Sequence, residues 1–351
     1  MTPLEAEIRR IIETDGPISV ADYMRLCLGH PQHGYYVTRD PLGARGDFIT
    51  APEVSQMFGE LVGAWAAAVW RQMGAPRELR LIELGPGRGT LMADALRAAK
   101  AMPEFADALS VHLVEMSPAL REAQQAKLGA VTWHSQIEDV PEGPCITIAN
   151  EFVDALPVDQ LVKGRDGWHM RMVGVVDDHL AFVVSPDALP GRTEIEAPSG
   201  AILESRHDRP VALLARRMAG HGGAALVIDY GHAATGFGDT LQAVRGHRYA
   251  DPLADPGESD LTTQVDFAAL ARTARREGAR THGPIPQGEF LRRLGIVERA
   301  ARLKQNATPQ QAPDIDAALA RLTAPDQMGD LFKVLAIADP NLGVLPGFER
   351  A

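Results

Sequence analysis

The stretch Leu81-Ile82-Glu83-Leu84-Gly85-Pro86-Gly87-Arg88-Gly89-Thr90 decides how this chain is read. A short apolar run, RLIEL, reads as a strand. Three glycines at alternate positions then read as a turn, and LMADALRAAKAM follows with helical periodicity. Glycine lets the chain turn tightly and lets a ligand approach the backbone. The exposed N–H groups at the start of the helix favour an anionic or polar group.

Two cofactor classes use a strand, a glycine turn and a helix in this way. Dinucleotide sites want GxGxxG, with a third glycine for close helix packing. Here that glycine, Gly89, comes one residue early, and Thr90 occupies the dinucleotide position. Glu83, before the first glycine, is typical of S-adenosylmethionine enzymes, where an acid helps place the charged amino-acid end. Glu115 closes a second strand, VHLVEM, where a carboxylate can accept both ribose hydroxyls. It stands about thirty residues beyond Gly85, later than the roughly 20 of the dinucleotide fingerprint. Together the turn, Glu83, Glu115 and the strand order favour S-adenosylmethionine over a nicotinamide dinucleotide.

Farther along, Ser117-Pro118 reads as a helix cap followed by proline at the first helical position. VTWH and PCITIAN read as third and fourth strands, and GGAALVIDYGH as a fifth. Strands alternating with helices imply a parallel sheet covered on both faces. Gln136, Ile137, Asn150 and Glu151 then fall at the carboxyl edge of the sheet, where ligands bind in such folds. Gln136 is expected at the adenine edge and Ile137 against its face. Residues 158–184 read as a β-meander, about 202–219 as a helix and 235–262 as a long loop; the remainder reads as helical up to LFKVLAIA. Residues 1–36 read as two amphipathic helices broken at Asp15-Gly16-Pro17. Their apolar faces suit either a homodimer contact or packing on the core. Thr50 and Glu53 have capping-box spacing ahead of a helix carrying Phe58, Leu61, Val62, Trp65 and Val69.

The chain has 351 residues, 45% apolar, with 35 basic and 46 acidic residues and a net charge of −11. That balance argues against nucleic acid as the main partner. The two cysteines, Cys27 and Cys145, form no CxxC pair, which fits a reducing, cytoplasmic compartment. No apolar run approaches the roughly 20 residues of a membrane span. The His30-Pro31-Gln32-His33 stretch has no acid or cysteine at ligand spacing, so no metal is read there.

Five stretches resemble the MidA-like methyltransferases, the family of the mitochondrial complex I assembly factor that methylates arginine. They are GDFITAPEVSQMFGELVGAW (46–65), IELGPGRGTLMADALR (82–97), ANEFVDALPVDQ (149–160), LVIDYGH (226–232) with DPGESDLTTQVDF (255–267), and PQGEFLRRLGI (286–296). The resemblance implies an α/β, class I methyltransferase fold with a Rossmann-like seven-stranded sheet. It implies an N-terminal helical cap over 1–75 and a methyltransferase domain over 76–351, with a β-rich insertion at about 157–220. It implies S-adenosyl-L-methionine as donor and an arginine of a complex I subunit as acceptor. Cofactor contacts carry over to Glu83, Gly85, Gly87, Gly89, Glu115, Asn150 and Glu151. The first stretch adds Gly46, Asp47, Phe48, Thr50, Pro52, Glu53 and Ser55. A small-molecule methyltransferase and a non-catalytic binding or assembly factor remain as alternatives.

Methyl transfer needs alignment of nucleophile, methyl and sulfur. An arginine side chain is protonated, with a pKa above about 12, so carboxylates must clamp it and localise its charge. Glu53, Glu151, Asp154, Asp229 and Asp260 are the candidates. Asp154 and Asp229 are expected to bind the acceptor, and Glu53 to stand at the site edge. Tyr230 is expected to line the slot. The loop 245–262, with Asp251, Asp255, Glu258 and Asp260, suits a basic segment of a protein substrate.

Overall fold

The computed structural model describes residues 1–38, 50–190 and 195–349. They fall into two compact units. The first takes the described residues of Met1–Phe48, Asp154–Asp208 and Thr235–Gln264; the second takes those of Ile49–Val153, Arg209–Ala234 and Val265–Ala351.

In the first unit, helices α1 (Pro3–Asp15) and α2 (Val20–Gly29) are capped by Thr2 and Ser19, and a short α3 spans Tyr35–Thr38. Leu4, Ile8, Tyr23 and Met24 are buried in this unit's own core, so these helix faces pack inward rather than forming an exposed dimer surface. The meander expected at 158–184 is present as antiparallel strands Val158–Lys163, Trp168–Val176 and His179–Ala188. Ile202–Arg206 joins the same sheet, antiparallel to Val158–Lys163. The helix expected from about 202 begins only at Arg209. The expected long loop also carries a three-stranded sheet of Gln242–Arg245, Arg248–Ala250 and Asp260–Thr262.

The second unit is built on a sheet of seven main strands. They are β1 (Leu79–Leu84), β2 (Leu109–Val114), β3 (Thr132–His134), β4 (Cys145–Asn150), β5 (Gly223–His232), β6 (Arg280–Pro286) and β7 (Phe332–Ala338). Their order is β3-β2-β1-β4-β5-β7-β6. The first five run parallel, while β7 is antiparallel to both its neighbours, β5 and β6. The two-residue strand Val265–Asp266 extends beside the end of β5.

Helices α4 (Ala51–Val54), α5 (Gln56–Gln72), α6 (Thr90–Ala99) and α7 (Pro103–Ala108) follow one another on the chain around β1, and α8 (Pro118–Leu128) follows β2. Trp65, Val69, Leu91 and Phe105 share one core with Leu81, Ile146, Leu226 and Val334 of the sheet. The alternate sheet residues Val227 and Leu335 are also fully buried, and α9 (Arg209–His221) and α10 (Phe267–Arg276) pack on β5 and β7. This two-sided burial is why these strands read as continuous apolar runs.

Candidate cofactor and active site

The glycine turn leaves β1 at its carboxyl end. Gly85, Gly87 and Gly89 have φ of 61°, 52° and 74°, a conformation that side chains rarely adopt. A Cβ on Gly85 would lie 3.0 Å from the Phe152 ring. The Gly85 N–H donates to the Val114 carbonyl at 3.0 Å, pinning the turn to the end of β2. Gly89 caps α6 without a side-chain bond, so the sequence leaves the first N–H groups of that helix uncapped by a side chain.

Glu83 is 3% exposed, and its Oε2 has no hydrogen-bond partner among the described residues. Burial, then the charge of Glu115, pushes its carboxyl up to about 8. Glu115 is buried too, and burial raises its carboxyl. Its Oε1 accepts from the Ser117 N–H at 2.8 Å and its Oε2 from Gln124 Nε2 at 3.4 Å. Asn150, at the end of β4, donates to Glu151 at 3.2 Å while its own Oδ1 is buried without a donor among the described residues. Glu83 Oε2 and Asn150 Oδ1, both buried and without a donor among the described residues, thus stand at the ends of neighbouring strands. A donor-rich cationic ligand group fits that arrangement, as S-adenosylmethionine requires.

Glu151 holds φ +49°, and its N–H donates to the Ile228 carbonyl at 2.9 Å. Its carboxylate accepts from the Ala51 N–H at 3.2 Å, at the start of α4. Thr50 precedes that helix in extended conformation, and its side chain makes no cap bond. The capping box expected from Thr50 and Glu53 is therefore not formed. A one-turn helix intervenes, Ser55 caps α5 by accepting from the Met57 N–H at 3.2 Å, and Glu53 is released for another bond. Its Oε1 accepts from the Thr90 hydroxyl at 2.6 Å, and Lys127 Nζ donates to the same hydroxyl at 2.7 Å. Thr90 and Lys127 join the turn in a way that spacing alone does not disclose.

Gln136 is exposed and bonds to Asp139 at 3.4 Å, whereas Ile137 is buried at the start of a single 3-10 turn. Asp229 is fully buried. Its two oxygens accept from the Val153 N–H at 3.0 Å and the Tyr230 N–H at 2.9 Å. Tyr230 lies edge-on to Phe332, with centroids 5.7 Å apart. Gly46, Asp47 and Phe48 lie outside the described residues.

Asp154 belongs to the first unit. Its Oδ1 accepts from the Ala155 N–H at 2.9 Å, and its carbonyl accepts from the Thr263 N–H at 3.1 Å and from Arg206 at 3.2 Å. Tyr36, which no motif or spacing singles out, donates to Asp260 at 2.8 Å. Its hydroxyl is pushed well above its usual value by burial first, then by the charges of Asp260 and Asp154. Two other acids of the expected acidic loop have local work: Asp255 pairs with Arg245 at 3.1 Å, and Asp251 accepts from the Leu253 N–H at 2.9 Å.

A sheet in this order, reversed only at β7 and opened by a glycine turn after β1, defines a class I methyltransferase. The model of an S-adenosyl-L-methionine-dependent methyltransferase family matches residues 61–285. The chain is 39% identical over 375 residues to the protein arginine methyltransferase NDUFAF7 homolog, mitochondrial, of Drosophila melanogaster, covering 95% of this chain and 84% of that protein. It is 36% identical over 378 residues to the human protein arginine methyltransferase NDUFAF7, mitochondrial, covering 96% and 83%. Its fold matches that of a Burkholderia thailandensis protein solved with S-adenosyl-homocysteine, with TM-score 0.86, 30% identity, and 99% and 95% of the two chains covered. The chain belongs to this family of S-adenosyl-L-methionine-dependent methyltransferases, and S-adenosylmethionine is its cofactor.

Proposed function

We propose that this enzyme methylates an arginine of a protein, and that the acceptor is a complex I (NADH:quinone oxidoreductase) subunit whose assembly it supports. The observation that carries the reading is likeness along nearly the whole chain to proteins named as arginine methyltransferases. Buried carboxylates, which a cationic acceptor needs, add to it. A cytoplasmic location belongs to the same proposal: both cysteines are buried and unpaired, and among the described residues no helix is long and apolar enough to cross a membrane.

S-adenosylmethionine, when bound, supplies an electrophilic methyl on a sulfonium. The residues proposed to hold it are Glu83, Gly85, Gly87, Gly89, Glu115, Gln136, Ile137, Asn150 and Glu151, with Thr50 and Ser55 along the α4 edge; Glu53, at the same edge, is proposed as a catalytic carboxylate. Asp154 is proposed to receive the guanidinium and localise its charge away from the attacking nitrogen. Asp229 is proposed to bind the acceptor with Asp154, its two oxygens being held in place by the Val153 and Tyr230 N–H groups.

The test is transfer from methyl-labelled S-adenosylmethionine into extract of a strain lacking the gene, with Glu115→Ala as control. Label recovered as methylarginine in a protein of complex I supports the reading. Label confined to small molecules overturns the protein acceptor, and label on another amino acid overturns arginine.

A further inference from the structure

We propose that Gln124, oriented by Trp133, is a positioning residue that locks the glycine turn and Glu115 into one preformed cofactor cradle. Gln124 lies on α8 between Leu120 and Leu128, at the four-residue spacing of that helix's inward stripe. An apolar residue is expected there. The amide is fully buried and engaged at both ends. Its Nε2 donates to the Gly87 carbonyl at 2.6 Å and to Glu115 Oε2 at 3.4 Å, and its Oε1 accepts from Trp133 Nε1 at 2.7 Å.

The Trp133 contact decides the orientation. An indole N–H can only donate, so it selects the oxygen end of the amide and turns the nitrogen toward Gly87 and Glu115. The turn also packs against this helix, since a Cβ on Gly89 would meet Leu128 Cδ1 at 3.0 Å and Gln124 Cγ at 3.5 Å. Burying an amide is unfavourable unless its groups are bonded. Here both bonds from its nitrogen fix a part of the cradle. Gly87 belongs to the turn after β1 and Glu115 to the end of β2, so one side chain sets their spacing before any ligand arrives.

The inference rests on the proposed assignment of Gly87 and Glu115 to the cofactor site. The test is calorimetric titration of S-adenosylhomocysteine into the full-length protein, with thermal melts establishing that each variant is folded. Gln124→Met fills similar space but loses the bonds, and its Kd is expected to rise about tenfold. Gln124→Glu keeps the acceptor for Trp133 but sets an oxygen against the Gly87 carbonyl and Glu115, and its Kd is expected to rise further. Trp133→Phe is expected to cost a few-fold, because the amide loses its orienting donor. In a Glu115→Ala background, Gln124→Met is expected to cost clearly less than in the wild type, a coupling that simple loss of fold would not produce. Unchanged affinity in Gln124→Glu and Trp133→Phe, or full additivity with Glu115→Ala, overturns the inference while leaving the site assignment intact. Wild-type affinity in Glu115→Ala itself overturns the site assignment and the inference together. Should Gln124→Met fail to fold, Gln124→Glu and Trp133→Phe still decide between these outcomes.

Discussion

Glu83 carries an acid whose folded value, about 8, lies above its ordinary value of 4.5. Between those values the folded chain holds a proton that the unfolded chain has released. Stability of the cofactor-free protein therefore falls as pH rises through that window, and the loss is complete above about 8. Glutamine mimics the neutral acid and removes the effect. Glu83→Gln is thus expected to match the wild type near pH 5 and to melt at a higher temperature at pH 8.5. A difference in melting temperature that does not change with pH would sink this account. At Asp154 the expectation concerns chemistry instead. Asp154→Asn should reduce transfer at least about 100-fold, the usual scale for losing a group that stabilises charge, yet leave S-adenosylhomocysteine affinity within about threefold. Full turnover in that variant removes Asp154 from the mechanism.

Pairing of α5 with α6 shows how glycine places an element. Gly59 and Gly63 stand one turn apart on α5. A Cβ on Gly63 would lie 2.6 Å from Ala95 Cα, and one on Gly59 would lie 2.6 Å from Asp94 Cβ. This close approach accompanies the meeting of Glu53, just ahead of α5, with Thr90 at the start of α6. Alanine normally stabilises a helix by about 1 kcal/mol over glycine, but overpacking a backbone contact costs about 1–3 kcal/mol. Gly63→Ala should therefore lower the urea midpoint. Gly220→Ala in α9, where a Cβ would meet nothing within 4 Å, should raise it. The opposite ordering would show that contact does not decide.

The same scale shows what the sequence discloses. RLIEL, PCITIAN and LFKVLAIA are continuous apolar runs because two layers cover them, so their strands are legible. β6 is not, because Gly283-Pro284 interrupts it and its register with β7 shifts between His282 and Ile285. Ile202–Arg206 reads as the start of a helix because the helix behind it, from Arg209, lies only a few residues on. The three short strands within 235–262 are masked by the glycine, proline and aspartate around them. At the site, Glu83, the glycines and Glu115 announce themselves by position relative to the turn. Tyr36 does not, because its partner Asp260 lies far along the chain, and Gln124 does not, because its partners Gly87, Glu115 and Trp133 lie outside its helix, where helical spacing relates none of them to it. Glu53 misleads, since its spacing to Thr50 satisfies a local rule that the fold leaves unused.

For the molecule as a whole, the chain leaves the α/β unit after Val153 and again after Ala234, just beyond the ends of β4 and β5. Those are the places where an α/β sheet tolerates insertions that shape a binding site. With a net charge of −11, the protein should attract a basic peptide at long range. Screening shortens that reach from about 10 Å at 0.1 M salt to less at higher salt. Raising salt from about 50 to 300 mM should increase KM for an arginine-containing peptide several-fold while kcat at saturation changes little. Salt-independent KM would remove charge steering from recognition.

Glu151 carries a different consequence. A glutamate at φ +49° sits where glycine would be more comfortable by about 1 kcal/mol. A search for heat-tolerant variants, judged by survival alone, would tend to replace it with glycine. The product should outlast its parent in the tube and lose the carboxylate that holds the start of α4. Durability and turnover then select opposite residues at one position, and a thermostable descendant of this enzyme is best screened on methyl transfer from the first round.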